Sequence, residues 1–247
     1  MKKQLLNTGP SIQKYNKINK WLLFDEDNKI KINSGKIDIG QHISSTLALI
    51  CSKNTGVKYD QIEVINLDTN FSPDEGKTAS SLSTSHSGTA IKSISIELKS
   101  QFLKYVLLKF NTTLDQLELD NGIARKKNTN KSISYWDFAK TEDFNKIIIN
   151  DVVEEKKFTI FNNDEDQAIE LKNIHKIVTG KYKFVHDLNF NKMLHARLIR
   201  PPNYYSKFVK IDKKTLDKIN QFDIKLVIKG SFIAILCNDE FLVAKYL

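Results

Sequence analysis

Only two of the 247 residues are cysteines, and that scarcity sets the first limit on function. An iron–sulfur cluster takes about four thiolates, so Cys51 and Cys237 cannot hold one by themselves. Both sit in apolar contexts, Leu-Ile-Cys-Ser and Ile-Leu-Cys-Asn, and read as small buried hydrophobes of a reducing compartment. Arginine is nearly as rare: Arg125, Arg197 and Arg200 are the only ones among 38 basic residues. Arginine is the side chain favoured for bidentate contacts to phosphates and base edges. The lysines are scattered among acids and do not interleave with aromatics. The net charge of +9 therefore reads as a lysine-coated surface, and no nucleic-acid partner is expected. No apolar run approaches the length of a membrane span. The N-terminus turns polar directly after Leu5-Leu6, too soon for a secretory leader. Cytoplasmic residence is the expectation.

Conventional catalytic signatures are missing too. The chain has no Gly-rich dinucleotide fingerprint, no phosphate loop and no nucleophile elbow. Its five histidines lack ligand spacing on any one helix face, so neither a metal site nor a catalytic residue is assigned.

What is present is a mixed order of strands and helices with 40% hydrophobic residues, enough for one large or two small cores. The class is α+β. Trp21–Phe24 and Lys29–Asn33 predict a hairpin, and Lys36–Ile39 a further strand. Ile43, Leu47, Ile50 and Cys51 line one face of a helix that Gly56 stops. Ile62–Leu67 is a strand, and 68–88 a long loop without a period of its own. The longest helix carries a buried stripe of Ile91, Ile94, Leu98, Phe102, Val106 and Phe110. Leu117–Leu119 and Ile123–Arg125 flank an Asn121-Gly122 turn, a hairpin signal. Ser132–Tyr135 is a strand leading into a short helix near Trp136–Ala139. Charges cluster over 143–166, which places a domain boundary there and divides the chain into 1–150 and 151–247. Beyond it come a helix over Ile169–Ile177, strands over Lys183–Val185, Met193–Ile199, Ile224–Ile228 and Phe232–Cys237, and helical stretches at Leu216–Ile219 and Glu240–Tyr246.

Two segments stand out chemically. Gly35-Lys36-Ile37-Asp38-Ile39-Gly40-Gln41 delivers Gly-Gln to a helix start, where free N–H groups meet an anion or an electron-rich oxygen. The same residues also fit an ordinary strand-to-helix turn with a solvated Gln. The loop Asp68–Ser83 supplies small hydroxyls and N–H groups at Thr78, Ser80 and Ser81, suited to a phosphate or a pterin edge. It equally fits a flexible loop capped by Ser or Thr.

These segments resemble, in order and spacing, the molybdopterin-binding large subunits of the xanthine dehydrogenase and aldehyde oxidase family. The branch is the isoquinoline 1-oxidoreductase and nicotinate dehydrogenase type. The likeness rests on Trp21, Gly35–Gln41, Asp68-Thr69, Ser72-Pro73-Asp74-Glu75-Gly76, Thr78-Ala79-Ser80-Ser81 and Ser87-Gly88. Further on, Ile174–Gly180, Tyr182–Leu188 and Met193–Pro202 resemble the opening of the family's α/β hammerhead domain. The resemblance implies a partial molybdopterin-binding domain over 1–150, then a hammerhead over 151–247 that is incomplete at its C-terminus. It implies that Gly40, Gln41, Thr78, Ser80 and Ser81 face a molybdopterin, with Gln41 hydrogen-bonding an oxo ligand of the molybdenum. The reaction implied is hydroxylation of a heterocycle or aldehyde carbon with oxygen from water. Electrons leave through a separate iron–sulfur subunit. The sequence departs from the pattern at His42, where Gly is usual, and at Asp38, where Glu is usual. The family's Gly-x-Gly-Glu, whose glutamate is the base, has no match. The chain is therefore expected to be non-catalytic alone and to need a chain supplying the remaining large-subunit domains. A non-catalytic binding or assembly protein, or a remnant that keeps the fold, is the alternative.

Overall fold

The computed structural model describes residues 4–7, 9–65, 67–150, 152–155 and 169–246. Strand β1 (Gln4–Asn7) and the short helix α1 (Pro10–Lys14) lead into the expected hairpin, β2 (Leu22–Phe24) against β3 (Ile30–Ile32), with Leu22 opposite Ile32. Period-2 alternation buries Ile30 and Ile32 and leaves Lys31 at the surface side. Helix α2 (Ile43–Thr55) then carries the chain across to β4 (Ile62–Val64), which pairs parallel with β3. A parallel pair needs such a crossover because two strands running the same way cannot be joined by a tight turn. Gly56 ends α2 in the left-handed conformation at φ 78°, its N–H returning to the Ser52 carbonyl.

Helix α3 (Thr89–Phe110) buries the predicted stripe from Ile91 to Phe110, and its exposed face shows Leu108 to water. A second three-stranded sheet follows: β5 (Leu117–Asp120), β6 (Ile123–Lys126) and β7 (Ser132–Ser134), all antiparallel. Asn121 and Gly122 both have positive φ, as the two-residue hairpin turn requires. Ser134 and Asp137 form a capping box on α4 (Tyr135–Ala139), and α5 (Glu142–Asn145) comes next. Strand β8 (Val152–Glu155) returns to pair with β1, Gln4 opposite Glu155. The core beneath these elements is aromatic, with the Phe102 ring packed at a tilt 4.4 Å from the ring of Tyr135 and 5.8 Å from that of Phe138. The buried Tyr135 hydroxyl donates to the Thr55 carbonyl.

By compactness the chain divides into two units, Met1–Phe184 and Val185–Leu247. Residues 169–184, with the short helix α6 (Ile174–Val178), belong to the first. The Lys172 backbone N–H donates to Ser45 Oγ at 2.8 Å, and its ammonium to the Tyr59 carbonyl at 2.6 Å. The second unit is a three-stranded antiparallel sheet with β11 (Phe232–Cys237) between β9 (His195–Leu198) and β10 (Lys225–Lys229). Helices α7 (Lys213–Asn220) and α8 (Glu240–Lys245) cover a small core of Ile219, Ile224, Ile235, Cys237 and Val243. Strand β9 lies at an edge, which accommodates the Pro201-Pro202 pair just after it.

Three sequence expectations are corrected. Lys36–Ile39 is not a strand, because side chains take its amides: Ser34 Oγ accepts from Lys36, Thr78 Oγ1 from Ile37 and Gln41 Oε1 from Ile39. The helix predicted over Ile169–Ile177 begins only at Ile174, after Asn173 adopts a left-handed backbone. Lys183–Val185 forms no strand, and Val185–Asp187 is a single helical turn. The charged stretch from 156 to 168 lies outside the described residues.

Both cysteines are free and buried. Burial pushes the Cys51 thiol up to about 11 from 9.0. At pH 8 its thiolate fraction is then roughly a hundred-fold below that of an ordinary thiol. We expect Cys51 to resist a disulfide reagent until denaturant is added; rapid labelling of the native chain at Cys51 would contradict the core described here.

Candidate cofactor-binding site

The two motif segments meet at one carboxylate. Glu75 Oε1 accepts from the hydroxyls of Ser11 and Ser87, each at 2.8 Å. Its Oε2 accepts from Ser34 Oγ at 2.9 Å and from the Gly35 N–H at 2.8 Å. Those four donors come from α1, from the end of β3 and from the turn that precedes α3. Hydrogen bonds to an ionised acceptor are about twice as strong as neutral ones. One side chain thus ties three distant segments together.

Lys36 makes the reciprocal link. It is buried, and its ammonium donates to the carbonyls of Glu75 and Lys77, each at 2.7 Å. Gly35 permits the contact: a Cβ there would lie 2.0 Å from the Pro73 carbonyl oxygen and 2.9 Å from the Glu75 nitrogen. Thr78 completes the seam by accepting from the Ile37 N–H at 3.0 Å. Lys14 also bonds Asp74 at 2.9 Å, and this holds the Asp74 carboxyl below its ordinary value, but that pair is fully solvated and adds little.

At the start of α2 the geometry is more closed than the sequence suggests. Gln41 is exposed and folds back on its own segment, its Nε2 donating to the Ile37 carbonyl at 2.9 Å and its Oε1 accepting from Ile39 at 2.7 Å. Asp38 acts as the cap. Its Oδ1 accepts from Gly40 at 3.0 Å and His42 at 3.3 Å, and its Oδ2 from Ser44 at 3.4 Å. Several donors that a bare helix start would offer to a ligand are therefore occupied. Gly40, at φ 107°, has nothing within 4 Å of where a Cβ would sit, so a group can approach its backbone. Burial, with Asp38 nearby as a smaller influence, raises the phenol of Tyr182 above its ordinary value.

His42 occupies a left-handed position, φ 57°, and its Nδ1 is buried without a hydrogen-bond partner among the described residues. Glycine adopts that backbone at no steric cost, whereas other L-residues pay about 1–2 kcal/mol. We expect His42→Gly to stabilise the chain by about 1 kcal/mol, visible as a rise in the denaturation midpoint. A lowered midpoint would mean that the imidazole makes a contact worth more than the strain.

Ser80 and Ser81 are exposed, with φ of 55° and 56°, and they precede a turn of π-helix over Thr84–Gly88 that runs into α3. Their hydroxyls make no hydrogen bond among the described residues, so they are free to meet a ligand. Thr78 is joined directly to the Gly35–Gln41 segment; Ser80 and Ser81 are not hydrogen-bonded to Gly40 or Gln41. Open backbone at Gly40 and uncommitted hydroxyls at Ser80 and Ser81 fit a polar group with acceptor edges. The amide of Gln41 fits one only after giving up its two backbone bonds. Sequence reasoning missed Glu75, Lys36 and Ser11 as a cluster, because their convergence spans up to 64 positions. Among the described residues no three His, Cys, Asp or Glu side chains could jointly hold a metal ion, and no helix is long and apolar enough to cross a membrane.

Residues 3–185 match the molybdopterin cofactor-binding domain family. The chain is 21% identical over 187 residues to one of the subunits of nicotinate dehydrogenase from Pseudomonas putida, covering 74% of this chain and 15% of that one. It is 25% identical over 115 residues to the gamma component of the 6-hydroxypseudooxynicotine dehydrogenase complex of Paenarthrobacter nicotinovorans, covering 47% and 14%. The chain thus spans a small part of the length of these relatives. Among solved structures, Cu,Mo-CO dehydrogenase in its carbon monoxide reduced state aligns with a TM-score of 0.41 at 21% identity, over 56% of this chain and 18% of that one. Reconstituted CO dehydrogenase from Oligotropha carboxidovorans aligns with the same score at 20% identity. Since the family match takes in the whole Glu75 cluster and most of the chain, this protein belongs to the molybdopterin cofactor-binding domain family of xanthine dehydrogenase-type large subunits.

Proposed function

We propose that the chain is the N-terminal part of a molybdenum hydroxylase large subunit and supplies Gly40, Gln41, Thr78, Ser80 and Ser81 to a molybdopterin pocket completed by the remaining large-subunit domains. The observation that carries this is the Glu75 cluster, which binds both motif segments into one framework instead of leaving two independent loops. Strain at Ser80 and Ser81 supports it as well, since left-handed backbone at non-glycine residues gathers at ligand-binding sites. When bound, the cofactor supplies hydroxylation of a heterocycle or aldehyde carbon with water-derived oxygen, its electrons passing to a separate iron–sulfur subunit. The residues of this chain bind and orient. Gly40 lets the group approach the backbone, the serines offer hydroxyl donors, and Gln41 exchanges its backbone partners for a ligand oxygen. In this reading 1–150 is the N-terminal piece of the cofactor domain. The hammerhead is assigned to 151–247, of which Val185–Leu247 forms the separate unit with a three-stranded sheet and two helices.

A second reading, a non-catalytic assembly protein that keeps the fold, draws on the self-satisfied Gln41 amide and on His42 in the glycine position. Pterin content separates the two. The chain is purified alone, and together with a chain carrying the remaining large-subunit domains, from a host that makes the cofactor; pterin is then released oxidatively and measured by fluorescence. The enzyme reading expects stoichiometric pterin in the pair and little on the single chain. A pair free of pterin favours the assembly protein, and a fully loaded single chain contradicts the need for completion.

A further inference from the structure

The Val185–Leu247 unit contains a hollow of about 650 Å³ between the loop from Pro201 to Lys210 and the turn joining β10 to β11. Its chemistry is one-sided. Arg200, Lys207 and Lys210 line it, and no aspartate or glutamate does. None of the three cations makes a hydrogen bond or ion pair to another described residue, whereas Arg197 nearby in sequence is bonded to Glu240 at 3.1 Å. The rest of the lining is largely apolar, with Phe208 and the buried Ile233 prominent. Two features give the hollow a defined shape. Pro201-Pro202 fixes the backbone entering the loop. Asn203 Oδ1 accepts from Tyr205 N–H and Ser206 Oγ, each at 3.0 Å, and so pins the bend.

We propose that this hollow binds an organic anion of the aromatic carboxylate class, its flat body against Phe208 and Ile233 and its carboxylate among Arg200, Lys207 and Lys210. Ligand pockets of about 300–1,000 Å³ with mostly apolar walls and a few convergent polar groups are the usual form of a small-molecule site. Guanidinium offers a fork that matches a carboxylate, and the lysine stems cover apolar surface while their ammonium groups stay at the rim. A bare inorganic anion would gain nothing from the apolar lining. A nucleic-acid backbone is met by a stripe of cations along a surface, not by three around a hollow.

The test uses the whole 247-residue chain, nitrogen-labelled, titrated with naphthoate, its neutral isostere naphthamide, inorganic phosphate and a short acidic peptide. Naphthoate is expected to shift the amides of Ser206, Gly230 and Ser231, with naphthamide about ten-fold weaker and phosphate weaker still. Lys207→Met with Lys210→Met is expected to bring naphthoate down to the naphthamide level and leave naphthamide binding unchanged. Phe208→Ala is expected to weaken both. The proposal is overturned by equal binding of acid and amide, by phosphate matching naphthoate, or by shifts confined to other residues. Tighter binding of the acidic peptide at the same amides would likewise overturn it, by moving the site to a protein partner.

Discussion

Glu75→Ala is expected to lower the stability of the Met1–Phe184 unit by about 2–3 kcal/mol, the upper range for removing a charged hydrogen-bond acceptor from partly buried donors. The loss exceeds that of a single hydrogen bond because three hydroxyls and the Gly35 N–H are left facing a void. Glu75→Gln separates charge from shape. Its one carbonyl oxygen can serve Ser34 and Gly35, and its amide nitrogen then faces Ser11 and Ser87, whose hydroxyls can turn to accept. The expected cost is therefore smaller, about 1–2 kcal/mol. Both changes are read by intrinsic fluorescence in a denaturant titration. The only tryptophans, Trp21 and Trp136, are buried in this unit, so the signal reports its unfolding alone. Equal midpoints for wild type and Glu75→Ala would mean that the cluster does not hold the segments.

Gly35→Ala is expected to be of similar size, about 3 kcal/mol, through a different cause. The added methyl meets backbone, the Pro73 oxygen at 2.0 Å, and backbone cannot rotate aside as a side-chain tip can. The 73–78 segment must lift away, which breaks the Gly35–Glu75 and Ile37–Thr78 hydrogen bonds together. Gly40→Ala is the control. Its Cβ would point into open space, so any effect there comes from φ alone and is limited to about 1–2 kcal/mol. A Gly35→Ala chain as stable as Gly40→Ala would show that the close approach is absent in solution.

Much of the fold is legible because it is local. The β2–β3 hairpin, the Asn121-Gly122 turn, and helices α2 and α3 each follow from periodicity and from a stop residue within the same stretch. The failures occur where local pattern and distant partners disagree. Lys36-Ile37-Asp38-Ile39 alternates like a strand, yet Thr78, 41 positions away, takes the amide that a neighbouring strand would need. The candidate site divides the same way. Resemblance marks Gly40, Gln41, Thr78, Ser80 and Ser81, but nothing local announces that Glu75 joins Ser11 to Ser87. Nor does it announce that Asp38 caps the helix start that Gln41 was expected to leave open.

If one carboxylate holds both motif segments in a single cofactor-facing framework, its removal must loosen amides that it does not itself touch. Hydrogen exchange at the Gly35 and Ile37 amides is compared between wild type and Glu75→Ala under conditions where both stay folded. Protection of both amides is expected in the wild type and loss of both in the variant, although only Gly35 touches the carboxylate. Ile37 protected in the variant as in the wild type, or both amides exchanging freely in the wild type, would contradict that framework.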